Sequence, residues 1–346
     1  MSGRTAYFIR RILLIFPTFI GITLASFLLC QFVPGGPVEQ AMLKMRGSAD
    51  GGDGALGSQE ISETQRQALK EHFGFDKPIA QRYWDWLVVN KMGMTVKSYV
   101  YSHKTVGSLV VERFPISLTF GITSFILTYL ICVPLGIAKA LRNGGVFDFL
   151  SSVLVFVGYA LPSFAFGMLL KMFFSGTVDG FWDIFPIGGF RSDGWEEFSF
   201  VEKVKDQFMH MFLPVLCYII GNFALLTMLM KNSLMEQISQ DYVRTVIARG
   251  GSMKLAVWRH ALRNALIPIA TGFGGILSIL FAGSVLIERV FNIPGIGMLS
   301  LEAIVSRDYM VFMGVLALTS IVALLGRVLS DFCYVLIDPR ISFSSE

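Results

Sequence analysis

The apolar positions of this chain gather into runs long enough to cross a bilayer core, which takes roughly 20 helical residues. Five runs hold no charged residue: 12–33, 116–138, 149–170, 211–230 and 265–287. A sixth, 310–337, is interrupted only by Arg327 and Asp331. Backbone polar groups cannot stay unpaired in lipid, so each run is predicted to be a helix. Arg327 and Asp331 stand four apart and can face each other as a structural pair near the end of the last span. Lys171 ends the third span and is expected to snorkel outward. Glu288 and Arg289 are expected at an interface. The first run follows Arg4, Arg10 and Arg11, yet it is longer than a signal-peptide core and no A-x-A site follows it, so it reads as a retained span.

Lys and Arg then set the orientation. With the N-terminus inside, segments 1–11, 139–148, 231–264 and 338–346 carry twelve basic residues in 64. The short outer loops 176–208 and 288–309 carry five in 55. The bias predicts six spans with both termini on the inside.

The polar segments divide the chain further. Residues 1–33 form an inner N-terminus and first span, 34–115 a long outer segment, and 116–346 a five-helix core with an inner loop at 231–264. The outer segment opens on Pro34-Gly35-Gly36-Pro37, which must end the first helix. A glycine-rich loop follows at 47–58, and a turn at Phe73-Gly74-Phe75-Asp76-Lys77-Pro78. Residues 79–89 read as a helix bearing Tyr83, Trp84, Trp86 and Leu87. Two readings stay open there: a helix lying on the outer membrane face, or a small outer cap with these aromatics as its core. The loop 176–208, with Trp182, Trp195, Glu196 and Glu197, has room for a short extra element.

The inner loop 231–264 is too long and too well capped for a plain connector. Asp241 can cap a helix over 242–249. Gly250-Gly251 ends that helix, and Ser252 can cap a second one leading into the fifth span. In the second helix Leu255, Trp258, Leu262 and Ala265 form one apolar stripe, with Arg259, His260 and Arg263 off it. The shape suits either docking on a soluble partner or lying among lipid headgroups.

Composition supports the membrane class: 53% of the 346 residues are hydrophobic and 16% charged, against about a quarter charged in soluble domains. The net charge of +4 points to no nucleic-acid partner. Cys30, Cys132, Cys217 and Cys333 form no CxxC pair and read as small core residues, so no metal site is expected. There is no P-loop, HExxH or GxSxG, and His72, His103, His210 and His260 are scattered, which argues against an enzyme. An ion-coupled secondary transporter is the remaining rival, but the spans lack an acidic proton-relay set and the halves show no clear repeat.

Asp241-Tyr242-Val243-Arg244-Thr245, Ala248-Arg249-Gly250 and Arg259-His260-Ala261-Leu262-Arg263-Asn264-Ala265-Leu266-Ile267-Pro268 resemble the coupling loop of peptide-type ABC importer permeases, those for oligopeptides, dipeptides and nickel. Tyr7-Phe8-Ile9-Arg10-Arg11, Val33-Pro34-Gly35-Gly36-Pro37 and Phe73-Gly74-Phe75-Asp76-Lys77-Pro78-Ile79 resemble the amino-terminal part of the B-type subunit. Glu288-Arg289-Val290-Phe291-Asn292-Ile293-Pro294-Gly295-Ile296-Gly297, Ser306-Arg307-Asp308-Tyr309 and Asp338-Pro339-Arg340 are similar to its outer turn and closing motif. The likeness is strongest to the branch that takes up peptides and microcin C-like peptide antibiotics. Two departures stand out: Met92-Gly93-Met94-Thr95 replaces a Gly-Asp-Leu-Gly-like turn, and Ile247 stands where relatives often carry a basic residue.

The resemblance implies an all-α, type I ABC importer permease fold in the bacterial inner membrane. It implies a homologous second permease as heterodimer partner, two ATPase domains or subunits that bind ATP and Mg, a periplasmic peptide-binding protein and surrounding lipid. This chain would hold no cofactor and catalyse nothing. The ATPase-coupling residues would be Asp241, Tyr242, Arg244, Thr245, Ala248, Arg249, Gly250, Gly251 and His260. Ser163, Asn222, Ser278 and Ser284 are candidates for the substrate path.

Overall fold

The computed structural model describes residues 3–32, 76–101, 103–178, 181–272 and 284–337. Among them the structure is mostly helical with connecting turns and loops, and β pairing is confined to isolated antiparallel bridges between Lys97 and Thr105 and between Ser175 and Asp183. Four helices are long and apolar enough to cross a membrane: α1 (Gly3–Phe32), α3 (Val106–Leu141), α6 (Phe200–Ile238) and α12 (Tyr309–Ile337). They contain the runs predicted at 116–138, 211–230 and 310–337, and the run 12–33 up to Phe32. Between α1 and α3 lies α2 (Ile79–Trp84), which continues as a wide turn through Asp85–Val89.

The third run is not one straight span. It forms α4 (Val146–Ala160) and α5 (Ser163–Phe174), which bend by 96° at the break. Proline is the cause. Pro162 has no N–H to donate, and its ring forces Leu161 into extended backbone, φ −88° and ψ 124°. Along α4, Phe149, Leu150, Leu154, Phe156 and Val157 are all exposed. So continuous an apolar surface calls for lipid or a partner helix around it. The middle of the run 265–287, residues 273–283, lies outside the described residues.

α6 is longer than its run. Ser199 opens it with a capping box: its backbone N–H donates to the Glu202 carboxylate at 2.9 Å, and its Oγ accepts from the Glu202 N–H. Its 39 residues span roughly 58 Å at 1.5 Å each, about twice a hydrocarbon core. The polar segments expected at 176–208 and 231–264 therefore each include a stretch of this helix.

The chain resolves into two compact units. The larger holds 1–12, 114–298 and 322–346. After α6 it continues with α7 (Asp241–Ala248). Next comes α8, built from Met253–Leu255, a wide stretch Ala256–Ala261 and Leu262–Ala265, and then α9 (Ile267–Thr271) and α10 (Val285–Val290). One core packs Cys132, Ile137, Met230, Leu234, Val243, Val257, Ala261 and Ile269 together. Gly136 lets α3 and α6 touch, since a Cβ there would lie 2.6 Å from Met230 Cβ and 2.7 Å from the Thr227 carbonyl. A second core gathers Phe120, Leu213, Cys217, Ile287, Phe291 and Ile293, flanked by Phe166 and Phe174. Cys132 and Cys217 are buried core thiols, and Cys30 in the smaller unit is half-buried.

Asp331 does not pair with Arg327. Its carboxylate accepts from Arg11 Nε at 2.6 Å, and Arg327 lies exposed. An i,i+4 pair gains only about 0.3–0.5 kcal/mol, so a partner from another helix readily displaces it.

The smaller unit holds 13–113 and 299–321. Its core joins Phe27, Trp86, Met313 and Ala317, with Tyr83 and Leu87 against them. The Tyr83 hydroxyl lies 2.8 Å from Thr23 Oγ1. Tyr83, Trp86 and Leu87 therefore pack on α1 and α12 instead of forming a core of their own, which is neither of the two readings in full, while Trp84 stays exposed. In Met92-Gly93-Met94-Thr95, Met92 and Gly93 take left-handed backbone, φ 60° and 77°. The turn seats the start of α3: the Gly107 N–H donates to the Met94 carbonyl at 2.9 Å. Α11 (Ile296–Val305) and α12 follow in chain order.

Candidate functional site

The loop 231–264 is built around one sharp corner. α7 begins at Asp241 itself; Gln240 is the cap residue and no side chain caps the helix. Asp241 was expected to cap from outside. Inside the first turn its carboxylate instead faces Arg244 at 3.7 Å and lies at the positive end of the helix dipole. Thr245 Oγ1 donates to the Asp241 carbonyl at 2.8 Å. At the other end the Gly250 N–H donates to the Ile247 carbonyl at 2.9 Å, and the Gly251 N–H to the Val246 carbonyl at 3.0 Å. This is a Schellman ending. The two glycines serve different needs. Gly250 has φ +86° with open space around it, so it supplies a backbone conformation. Gly251 supplies room, since a Cβ there would lie 2.8 Å from both the Val246 carbonyl oxygen and its Cγ1.

Val243 is 1% exposed and roots α7 in the core, beside the half-buried Tyr242. The Tyr242 hydroxyl donates to Gln237 at 2.9 Å and accepts from Asn264 Nδ2 at 3.2 Å, tying the ends of α6 and α8 to the corner. Asp241, Arg244, Thr245, Ile247, Ala248, Arg249 and Gly250 all face outward. The result is a rigidly rooted, exposed corner.

Ser252 caps α8 as predicted, accepting from the Leu255 N–H at 3.2 Å. The apolar stripe is different. Ala256, Val257, Ala261 and Ala265 are buried, whereas Leu255 and Trp258 are exposed. The wide turn at Ala256–Ala261 breaks the 3.6-residue register on which the stripe was drawn. Small residues fill the tight contact, Leu262 packs half-buried beside them, and Leu255 and Trp258 are left outside with Arg259, His260 and Arg263.

The described path residues lie on three separate elements. Asn222 is exposed on α6, and Ser163 is half-buried in the first turn of α5. Ser284 caps α10: its Oγ accepts from the Ile287 N–H at 3.4 Å, and its own N–H donates to the Tyr218 hydroxyl at 2.8 Å. Ser278 lies outside the described residues.

Of the charged residues expected at an interface, Arg289 is exposed but Glu288 is internal. Glu288 is 1% exposed. Its carboxylate accepts from Ser117 Oγ at 3.0 Å and from the Met298 N–H at 2.6 Å; Ser117 in turn accepts from the Ile296 N–H at 2.8 Å. Glu288 and Ser117 thereby satisfy the open N–H groups at the start of α11. Gly295 and Gly297 exist for this contact: a Cβ at Gly295 would lie 2.5 Å from the carboxylate. Lys171 does not snorkel outward. Its ammonium donates to the Val290 carbonyl at 3.0 Å, at the negative end of α10.

In the smaller unit, Asp308 plays a matching role. It is 1% exposed and accepts from Ser98 Oγ, the Tyr99 N–H and the Val100 N–H at 2.5, 2.9 and 3.2 Å. Its other oxygen accepts from the Val311 N–H at 3.2 Å, near the start of α12. Burial, and to a lesser degree the Asp308 charge, push the Tyr99 hydroxyl above its usual range.

The family model described as the binding-protein-dependent transport system inner membrane component matches residues 132–343. The chain belongs to this family, and it is a multi-pass inner-membrane protein. It is 38% identical to the inner membrane ABC transporter permease protein YejB of Escherichia coli O157:H7, over 99% of this chain and 100% of that one. It is 36% identical to the peptidoglycan transport system permease protein YejB of Agrobacterium fabrum, over 98% of each. The oligopeptide transport system permease protein AppB of Bacillus subtilis is 31% identical, over 98% of this chain and 99% of its own length. The permease family expected from the motifs is the one found.

Proposed function

We propose that this chain is one membrane permease of an ATP-driven importer of peptides. It crosses the bilayer six times with both termini in the cytoplasm, in a type I importer fold. It pairs with a homologous second permease. A periplasmic peptide-binding protein delivers cargo to the outer face. ATP and Mg sit on two separate ATPase domains or subunits, since the sequence has no P-loop. The corner from Asp241 to Gly251 is the docking element for an ATPase, with His260 near its edge. Asn222, Ser163, Ser278 and Ser284 are the path residues proposed from sequence.

The observation that carries this reading is the corner itself. An exposed turn rooted by Val243 and Tyr242 can take a push from a soluble partner and pass it to the long α6. Closure of the ATPases then biases two arrangements of the helices. The cargo class follows relatives named for oligopeptides and for peptidoglycan, which extends it to peptide fragments of the cell wall. Microcin C-like antibiotics belong to the same chemical class. The test is uptake of a labelled peptide into vesicles holding the complete complex. Accumulation that requires ATP and the ATPases supports the reading. Accumulation by the permeases alone on an ion gradient overturns it in favour of a secondary transporter.

A further inference from the structure

A cluster of charges outside the corner joins three helices of the larger unit. Lys139, in the last turn of α3, is fully buried. Its ammonium lies 3.0 Å from Asp148 Oδ1 and donates to the Asp148 carbonyl, Ser151 Oγ and Ser152 Oγ at 2.9, 2.8 and 2.7 Å. The other carboxylate oxygen, Oδ2, accepts from Lys231 Nζ of α6 at 2.7 Å and from the Gly144 N–H at 3.1 Å. Two ammonium groups thus share one carboxylate.

The two lysines are held unequally. Lys139 has four acceptors around it and no exposure. Lys231 meets the carboxylate alone, and its side chain is 14% exposed. A buried charge leaves its partners at high cost, whereas one at the edge of water can be solvated as it leaves. Asp148 is therefore fixed to Lys139 and carries a releasable contact to Lys231. Lys231 also stands in a telling place. It follows Met230, which packs on Gly136, and it precedes the end of α6 by seven residues, roughly 10 Å of rigid helix. Beyond that end lies the corner.

We propose that Lys231 and Asp148 form a latch between α6 and α4 that opens and closes as the corner moves, so that both are positioning residues for the coupling of ATP hydrolysis to transport. The inference rests on the importer reading above. A charged latch suits this task better than apolar packing, because it holds one register firmly and releases into water instead of sliding continuously.

The experiment uses the complete complex in vesicles, with Lys231→Met, Lys231→Arg and the double variant Asp148→Asn/Lys231→Met. Assembly with the ATPases is measured alongside basal ATP hydrolysis and hydrolysis with peptide-loaded binding protein. Lys231→Met is expected to assemble at the wild-type level while the stimulated-to-basal ratio falls about fivefold or more, the scale of an ordinary coupling energy. Lys231→Arg is expected to restore the ratio. A Lys231→Met complex with the wild-type ratio overturns the latch. If Lys231→Met fails to assemble, the double variant decides: an assembled double variant with a reduced ratio upholds the latch. A double variant that keeps the wild-type ratio, or that also fails to assemble, makes the cluster a folding element and overturns it. The wild-type complex in the same assay reports on the importer reading separately: no stimulation there would remove the premise before any variant is compared.

Discussion

Replacing Glu288 tests the packing logic of the larger unit at its most constrained point. The carboxylate accepts from Ser117 Oγ and the Met298 N–H, and Gly295 and Gly297 close around it. In Glu288→Gln one oxygen becomes an NH2 group. If the amide oxygen keeps the Met298 N–H, the NH2 faces Ser117, whose hydroxyl already accepts from Ile296. Ser117 must then turn its own hydrogen away from its acceptor. The loss is one hydrogen bond to a charged group, about 1.5–3 kcal/mol. Glu288→Ala removes both acceptors, leaves the Met298 N–H unpaired in the interior and opens a void, so it should cost about 3–5 kcal/mol. Gly295→Ala attacks the same contact from the other side, since its Cβ would overlap the carboxylate. The assay is the temperature at which purified protein in detergent loses its monodisperse peak. At about 2–4 °C per kcal/mol, Glu288→Gln should lower that midpoint by about 3–12 °C, and Glu288→Ala further. A Glu288→Ala protein with an unchanged midpoint would refute the buried-acceptor account.

Two further predictions follow from the polar segments. Asp308→Ala takes the acceptor from the half-buried Tyr99 N–H, worth about 1–3 kcal/mol, while the Val100 N–H keeps Ser98 Oγ as its second acceptor at 3.2 Å. Hydrogen exchange should accelerate across 97–105 while the α6 core stays protected, and unchanged exchange there would count against the anchor. Orientation is checked with single cysteines at Arg249 and at Asp193, both exposed. An impermeant thiol reagent added outside intact cells lacking the outer membrane barrier should label Asp193→Cys and spare Arg249→Cys; the opposite pattern would invert the proposed topology.

Much of this fold is written in the chain as plain hydrophobicity. Four of the long apolar runs are long helices because lipid permits little else. The ending of α7 was also legible, since glycine is the residue that left-handed backbone and close approach both favour. What escaped pattern reading was set by neighbours distant in sequence. Glu288 sits beside apolar residues and looks interfacial until Ser117 and the start of α11 are placed around it. Asp331 has an obvious i,i+4 candidate in Arg327 yet pairs across 320 residues with Arg11. The stripe on α8 was drawn by residue size with a regular helical period; a wide turn shifted the register, and alanines took the tight contact. Pro162 did carry a signal for the 96° bend, but the apolar run masked it because hydrophobicity continues through the break.

The most direct test of the central claim is the coupling of ATP hydrolysis to peptide uptake in the reconstituted complex, wild type against Gly250→Asp. Aspartate at φ +86° strains the corner and adds a charge to its exposed face, while nothing within 4 Å is displaced, so the permease should still fold and assemble. The account predicts that the variant complex loses uptake and peptide-stimulated hydrolysis together. A Gly250→Asp complex that still couples hydrolysis to uptake at the wild-type ratio would contradict it.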